Sequence, residues 1–187
     1  MSAGRTILTA KRLELTLDRL CYRILENYPN LEDLALIGIQ PRGIALSEKI
    51  CDRLSVLSGL DKPLYGKLDI TFYRDDFRKR DEPIRASSTE VDFLVEEKNV
   101  ILIDDVLYTG RTIHAAMSAL QDFGRPAKIE LMCLIDRRFN RQFPIMSNYV
   151  GMVVDALNEA YVRVDWNDKK GTGEVLLFAN KQESLEE

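Results

Sequence analysis

Apolar positions along the chain alternate between two spacings. Leu13, Leu17, Leu20 and Ile24 recur at helical intervals and predict a helix over residues 10–28, stopped by Pro29-Asn30. Residues 34–39 form a short unbroken apolar run, the mark of a strand covered on both faces. Gln40-Pro41-Arg42-Gly43 punctuates it as a tight loop, and a second helix is expected over 43–58. Residues 65–73 alternate and predict a strand with Leu68, Ile70 and Phe72 on one face. Residues 74–90 are charged and weakly periodic, so a long mobile loop is expected, of the kind that serves as a lid. Residues 100–103 are a further buried strand, and 104–111 a loop. A helix over 112–123 turns Ile113, Met117 and Leu120 inward and ends at Gly124-Arg125-Pro126. Residues 129–135 are the next strand. From 136 onward the pattern shortens into strands near 149–154, 160–165 and 174–179.

Apolar strands alternating with amphipathic helices imply an α/β fold with a parallel sheet flanked by helices. Ligands bind such sheets at the carboxyl ends of the strands. The loops at 40–43, 104–111 and 136–141 each follow a strand, so they are expected to share one rim. One domain over 1–187 is expected, with 136–187 contributing a small β-rich hood.

Bulk composition narrows the classes. The 187 residues suit a single domain. No window approaches the roughly 18 unbroken apolar residues of a membrane span. Met1-Ser2-Ala3-Gly4-Arg5 has one basic residue and no apolar run behind it, so no signal peptide is expected and a cytoplasmic location follows. Cys21, Cys51 and Cys133 show no C-x-x-C spacing, and His114 is the sole histidine, which argues against zinc and for buried thiols in a reducing compartment. A formal charge of −4 argues against binding nucleic acid over the whole surface, though not against a local basic patch.

The chemistry concentrates in one stretch. After the strand come Asp104, Asp105, Val106, Leu107, Tyr108, Thr109, Gly110, Arg111 and Thr112, which opens the next helix. Thr109 to Thr112 sit where helix N-terminal amides are unpaired and the dipole is positive, an anion site. Gly110 lets the backbone approach the anion, and the threonine hydroxyls add donors. Asp104 and Asp105 would repel a phosphate; beside an anion nest they suit sugar hydroxyls or a bridging metal ion. A phosphorylated sugar satisfies both halves. Receiver domains also carry acid pairs, but near the chain start. A Walker loop needs a glycine five residues before Gly110, where Asp105 stands.

This stretch resembles the phosphoribosyl pyrophosphate (PRPP) motif of type I phosphoribosyltransferases. Ile37-Gly-Ile-Gln-Pro-Arg42-Gly43, Leu68-Asp-Ile-Thr-Phe-Tyr-Arg-Asp-Asp76, Leu120-Gln-Asp-Phe-Gly-Arg-Pro126 and Leu134-Ile-Asp-Arg137 narrow the likeness to the bifunctional pyrimidine operon attenuator/uracil phosphoribosyltransferase (PyrR) family. The resemblance covers roughly residues 10–155. It implies the type I phosphoribosyltransferase fold, formation of UMP and pyrophosphate from uracil and PRPP, and binding of messenger-RNA leaders under UMP control. It further implies that the two acids hold the ribose diol and that residues 106–112 hold the 5-phosphate. Pro41, Arg42 and Gly43 form the pyrophosphate loop, and Tyr73, Arg74, Arg78 and Arg80 belong to a lid that closes over the leaving group. Asp136, Arg137 and Val154 face the uracil. Magnesium would be held through PRPP near Asp104 and Asp105 rather than by a protein cage. A homodimer or larger homo-oligomer is implied.

Tyr108 replaces the acid of purine-type relatives and favours a pyrimidine. Arg138 stands where family members often carry glycine, Met152 where lysine is common, and 155–173 diverges. Met152 in place of the lysine removes positive charge and weakens the RNA reading, leaving Arg5, Lys11, Arg12, Arg19, Arg138 and Arg141 as candidates. Alternatives are an RNA-binding regulator with little enzyme activity and a phosphoribosyltransferase for another base.

Overall fold

A computed structural model describes residues 4–75, 87–156, 159–167 and 172–185. The elements in chain order are β1 (Arg5–Leu8), α1 (Ala10–Asn27), β2 (Leu34–Ile39), α2 (Gly43–Ser58), β3 (Leu64–Leu68), β4 (Asn99–Leu107), α3 (Arg111–Leu120), β5 (Lys128–Arg137), β6 (Tyr149–Val154), β7 (Tyr161–Asn167) and β8 (Thr172–Phe178). Five strands form one sheet in the order β3-β2-β4-β5-β6, all parallel.

The alternation within each strand builds a core on both faces. Leu34 and Leu36 of β2 and Ile101 and Ile103 of β4 pack with α1 and α2. Ala35, Ile37, Val100 and Leu102 pack on the opposite face with Ile113, Ala116 and Leu120 of α3. Leu13, Leu17, Leu20 and Ile24 are all fully buried, so the helical spacing of α1 is the spacing of its inner face. No described helix is long and apolar enough to cross a membrane.

Three expectations change. The strand expected over 65–73 ends at Leu68, where Asp69 breaks it: its carboxylate accepts from the Thr71 amide at 2.9 Å and from the Thr71 hydroxyl. Residues 71–73 become a single 3₁₀ turn, and Phe72 is 66% exposed rather than inward. Residues 149–154 join the main sheet through β5 instead of opening the hood. As an edge strand β6 is covered on fewer sides, which gave it the look of a one-faced strand. Finally, the hood is a three-stranded sheet, β1-β8-β7, closed by an N-terminal strand the periodicity did not announce. The lid expected within 74–90 lies largely outside the described residues, Arg78 and Arg80 included.

Both edges of the main sheet are blocked. The Lys67 and Glu90 backbones exchange hydrogen bonds of 2.9 and 2.8 Å alongside β3. The Arg19 guanidinium donates to the Gly151 carbonyl of β6 at 2.5 Å. That contact commits one of the basic residues considered for RNA.

Candidate active site

β4 lies in the middle of the sheet and delivers Asp104 and Asp105 at its carboxyl end. Both are buried, at 7% and 6% exposure. Asp104 accepts the Asp105 amide at 3.0 Å. Burial, and then repulsion from Asp105, pushes the Asp104 carboxyl well above the usual carboxylate range. Burial raises Asp105 too, while Arg42 pulls it the other way. The pair is therefore an electrostatic debt carried by the fold, to be relieved by hydroxyl donors or a cation.

The strand continues to Leu107, so the loop is shorter than 104–111. Val106 and Leu107 still pair with Ile135 and Asp136. Leu107 sits in the core on the α3 side and Val106 packs on the opposite face, which leaves only their backbones to serve a ligand. The chain turns at Gly110, whose φ of 89° favours glycine, and α3 begins at Arg111 without a side-chain cap. The first amides of α3 follow the acid pair, the Arg111 amide donating to the Thr109 hydroxyl at 3.4 Å, with Thr109 and Thr112 half-buried on either side of the turn.

The Arg111 side chain does not serve the nest. Its Nε donates to Gln142 at 2.6 Å, one terminal nitrogen pairs with Asp75, and the guanidinium lies 5.9 Å from the Phe143 ring. Arg111 thereby joins the loop after β5 to the segment that leads into the expected lid. Tyr73 is likewise engaged elsewhere, its hydroxyl bonding Asp122 just beyond the far end of α3. Ten residues of helix separate that end from the nest, roughly 15 Å at 1.5 Å per residue. Arg74 is half-buried.

The loop after β2 comes within contact of the acids. The Gln40–Pro41 peptide is cis. A Cβ on Gly43 would meet the Ile103 carbonyl oxygen at 2.2 Å and the Asp104 Cα at 3.2 Å, so the loop rests directly on β4. Gly43→Ala is expected to push the two apart and lower Tm by several degrees, as overpacking costs of roughly 1–3 kcal/mol imply. An unchanged Tm would show that the contact is slack. Arg42 donates to the Tyr161 hydroxyl at 2.6 Å. Burial pulls the Arg42 guanidinium down, but Tyr161 and the two acids more than offset it, and the net shift is upward.

The third rim loop closes over the nest from the β5 side. The Thr109 carbonyl accepts the amides of Gln142 and Phe143 at 2.9 and 3.2 Å. Arg141 pairs with Asp136 and also donates to the Tyr108 carbonyl. Asp136 therefore bonds Arg141, not its neighbour Arg137. Arg137 is 4% exposed, and its guanidinium stacks 3.9 Å from the centroid of the Tyr108 ring. Its Nε and Nη2 are buried and have no hydrogen-bond partner among the described residues, as is the case for the Asn140 amide nitrogen. Burial lowers the Arg137 guanidinium, with Tyr108 opposing. Val154 lies beside Arg137 in the register, and its carbonyl accepts the Arg138 amide at 3.1 Å. Phe139 takes a φ of 76° at this rim, a conformation L side chains rarely adopt, and is 76% exposed. His114 packs its ring 4.6 Å from Phe143.

Loops after β2, β4 and β5 thus share one rim, as expected. Gln142 and Asp75 escaped notice because nothing in their local sequence distinguishes them from surface polar residues. Residues 4–169 match the phosphoribosyl transferase domain family. The chain belongs to that family. Among similar curated proteins, the Bifunctional protein PyrR of Deinococcus deserti is 43% identical, over 95% of this chain and 97% of its own length. Its namesakes in Desulfosudis oleivorans and Enterococcus faecalis are 40% and 39% identical, over 95% and 92% of this chain and 97% and 96% of their own lengths. Among solved structures, hypoxanthine phosphoribosyltransferase of Trypanosoma cruzi superposes with a TM-score of 0.70 at 17% identity, covering 91% of this chain and 94% of that one. A hypoxanthine-guanine phosphoribosyltransferase of Bacillus anthracis gives 0.69 at 13% identity, covering 94% and 99%. These structural likenesses bear on the fold alone, and the phosphoribosyltransferase fold is the one described above.

Proposed function

We propose that this phosphoribosyltransferase makes UMP and pyrophosphate from uracil and PRPP. The observation that carries the reading is the buried Asp104–Asp105 pair directly ahead of the open amides of α3. The acids accept from the ribose 2- and 3-hydroxyls, and the amides of residues 110–112 with the Thr109 and Thr112 hydroxyls take the 5-phosphate. The Arg42 side chain and the main-chain amides of Arg42 and Gly43 face the pyrophosphate, with Pro41 shaping the loop. Arg74, Arg78 and Arg80 of the lid segment remain candidates for covering it.

The reaction exchanges one bond at ribose carbon 1 for another: pyrophosphate departs and the uracil nitrogen takes its place, losing its proton. The ribose gains oxocarbenium character on the way. The chain's contribution is to align the two partners, to stabilise the charge leaving with pyrophosphate, and to exclude water. No protein nucleophile is required. Tyr108 and Arg137 support a pyrimidine at the base end. Two buried donors on a ring-stacked guanidinium match the carbonyl oxygens of uracil, and Asp136 contributes by fixing the loop through Arg141.

Among the described residues no group of three or more His, Cys, Asp or Glu could cage a metal. Two carboxylates plus substrate oxygens nevertheless fit magnesium, which retains waters and favours such partial sites. When bound, the ion would neutralise charge on the departing pyrophosphate.

Turnover of labelled uracil with PRPP and magnesium is the test. UMP should form, and hypoxanthine and guanine should react at least about a hundredfold more slowly, the discrimination typical of sites that hydrogen-bond their substrate. No UMP above background, or a preference for a purine, would overturn the proposal.

The name of the relatives, a bifunctional protein, favours a second activity, which we take to be UMP-controlled binding of a messenger-RNA leader. Lys11 and Arg12 on α1 and Arg5 on β1 are exposed; Arg19 and Arg141 are engaged within the fold. A gel shift on the host's pyrimidine leader RNA should weaken with salt and respond to UMP. A complex indifferent to UMP, or none at all, refutes this second role.

A further inference from the structure

We infer that Tyr161, at the start of hood strand β7, is a positioning residue for Arg42 and so sets how the site grips pyrophosphate; the inference rests on the proposed role of Arg42. The two residues are 119 positions apart. The Arg42 guanidinium is held twice by the same side chain: its Nη2 donates to the Tyr161 hydroxyl at 2.6 Å, and its Cζ lies 5.8 Å from the ring centroid.

The chemistry of that partner matters. Arg111 and Arg141 are each paired with a carboxylate, Asp75 and Asp136. A carboxylate fixes a guanidinium but also neutralises it. A phenol fixes it and leaves the full charge for an incoming anion. Arg42 needs such fixing, because it is exposed, rich in rotamers and near two acids that attract it. Left to Asp104 and Asp105 alone, the guanidinium would lean over the sugar's subsite. Tyr161 supplies an opposing hold from the hood side.

Tyr161 is itself firmly placed. It sits opposite Phe178 in the β7–β8 register, and Phe178 is 2% exposed. The Arg163 guanidinium covers Phe178 at 4.8 Å, and the next residue after Tyr161, Val162, is buried in the main core. The hood is therefore more than a cover: it reaches into the pyrophosphate loop through one hydroxyl.

The experiment is a double-mutant cycle in Arg42→Ala and Tyr161→Phe, read by steady-state kinetics with uracil and magnesium PRPP and by calorimetric titration of PRPP. Tyr161→Phe should keep Tm within about 2 °C, since a hydroxyl is lost without a cavity. It should raise KM for PRPP by about tenfold, the scale of a hydrogen bond to a charged group, and leave KM for uracil unchanged. Tyr161→Ala should do more, because the ring is lost as well. In the Arg42→Ala background, Tyr161→Phe should add less than about twofold, since its route runs through Arg42. Equal losses in both backgrounds would show a general structural role and overturn the inference. So would an unaltered Tyr161→Phe beside an impaired Arg42→Ala. A wild-type chain that neither binds PRPP nor turns it over would instead bring down the proposed function, and this inference with it.

Discussion

Asp105→Asn is expected to lower kcat/KM for PRPP by about a hundredfold while making the empty protein more stable at neutral pH. The first effect follows from removing a charged acceptor from the ribose diol, since hydrogen bonds to charged groups are each worth about 1.5–3 kcal/mol. The second follows from the direction of the carboxyl shifts. Asp104 and Asp105 both titrate higher in the folded chain than in the unfolded one. Their favourable contribution to stability is therefore complete below the ordinary carboxylate range and is lost as pH rises through the folded values. A neutral amide at position 105 removes its own ionisation cost and relieves repulsion on Asp104. The gain in Tm over wild type should be absent near pH 3 and grow toward pH 7, reaching at least about 2 °C, the shift about 1 kcal/mol produces at this size. Magnesium PRPP should raise the Tm of the wild type and hardly move the variant. Thermal melts across pH 3–8, with and without ligand, decide the matter; a variant less stable than wild type at pH 7 contradicts the electrostatic account.

Arg141→Ala is the second large effect. Arg141 and Asp136 have side chains 24% and 18% exposed. Removing the arginine strands a mostly buried carboxylate and takes a donor from the Tyr108 carbonyl. Breaking a fully buried pair costs about 3–5 kcal/mol, and the residual exposure here brings the expectation to about 2–3 kcal/mol. Tm should fall by roughly 5–10 °C. Because the same side chain ties the loop after β5 to the residue before the nest, KM for PRPP should rise too. Pairing Arg141→Ala with Asp136→Asn should recover part of the stability, since no stranded charge remains, but not the KM. Loss of RNA binding alone, with stability and kinetics intact, would mean that Arg141 faces outward in solution.

What could be read in the sequence was whatever is local. The run from Val100 to Thr112 is contiguous, so strand, acids, turn and helix start announce the site in order. The inner face of α1 is legible for the same reason: four leucines and isoleucines recur along one short segment. What escaped depends on distant partners. Asp136 and Arg137 stand side by side in the sequence, but strand geometry sends neighbouring side chains to opposite faces, and Arg141 folds back to meet Asp136. Arg19 stood among the candidates for RNA, yet its guanidinium goes to the Gly151 carbonyl of β6. Tyr73 matched a motif, yet its hydroxyl goes to Asp122. Position 161 lay in a divergent stretch with no motif to flag it.

Strand β1 has a consequence for how the protein is made. Arg5 sits opposite Leu177, and Leu8 opposite Val175, in a register joining segments far apart in sequence. Contacts so far apart in sequence form late, because a long loop must be closed before they return any energy. While a ribosome is still extending the chain, β2 and β4 can already be paired with the acids in place, yet β8 does not exist. The nascent molecule would thus hold its acid pair on β4 before it possesses the sheet that carries Tyr161.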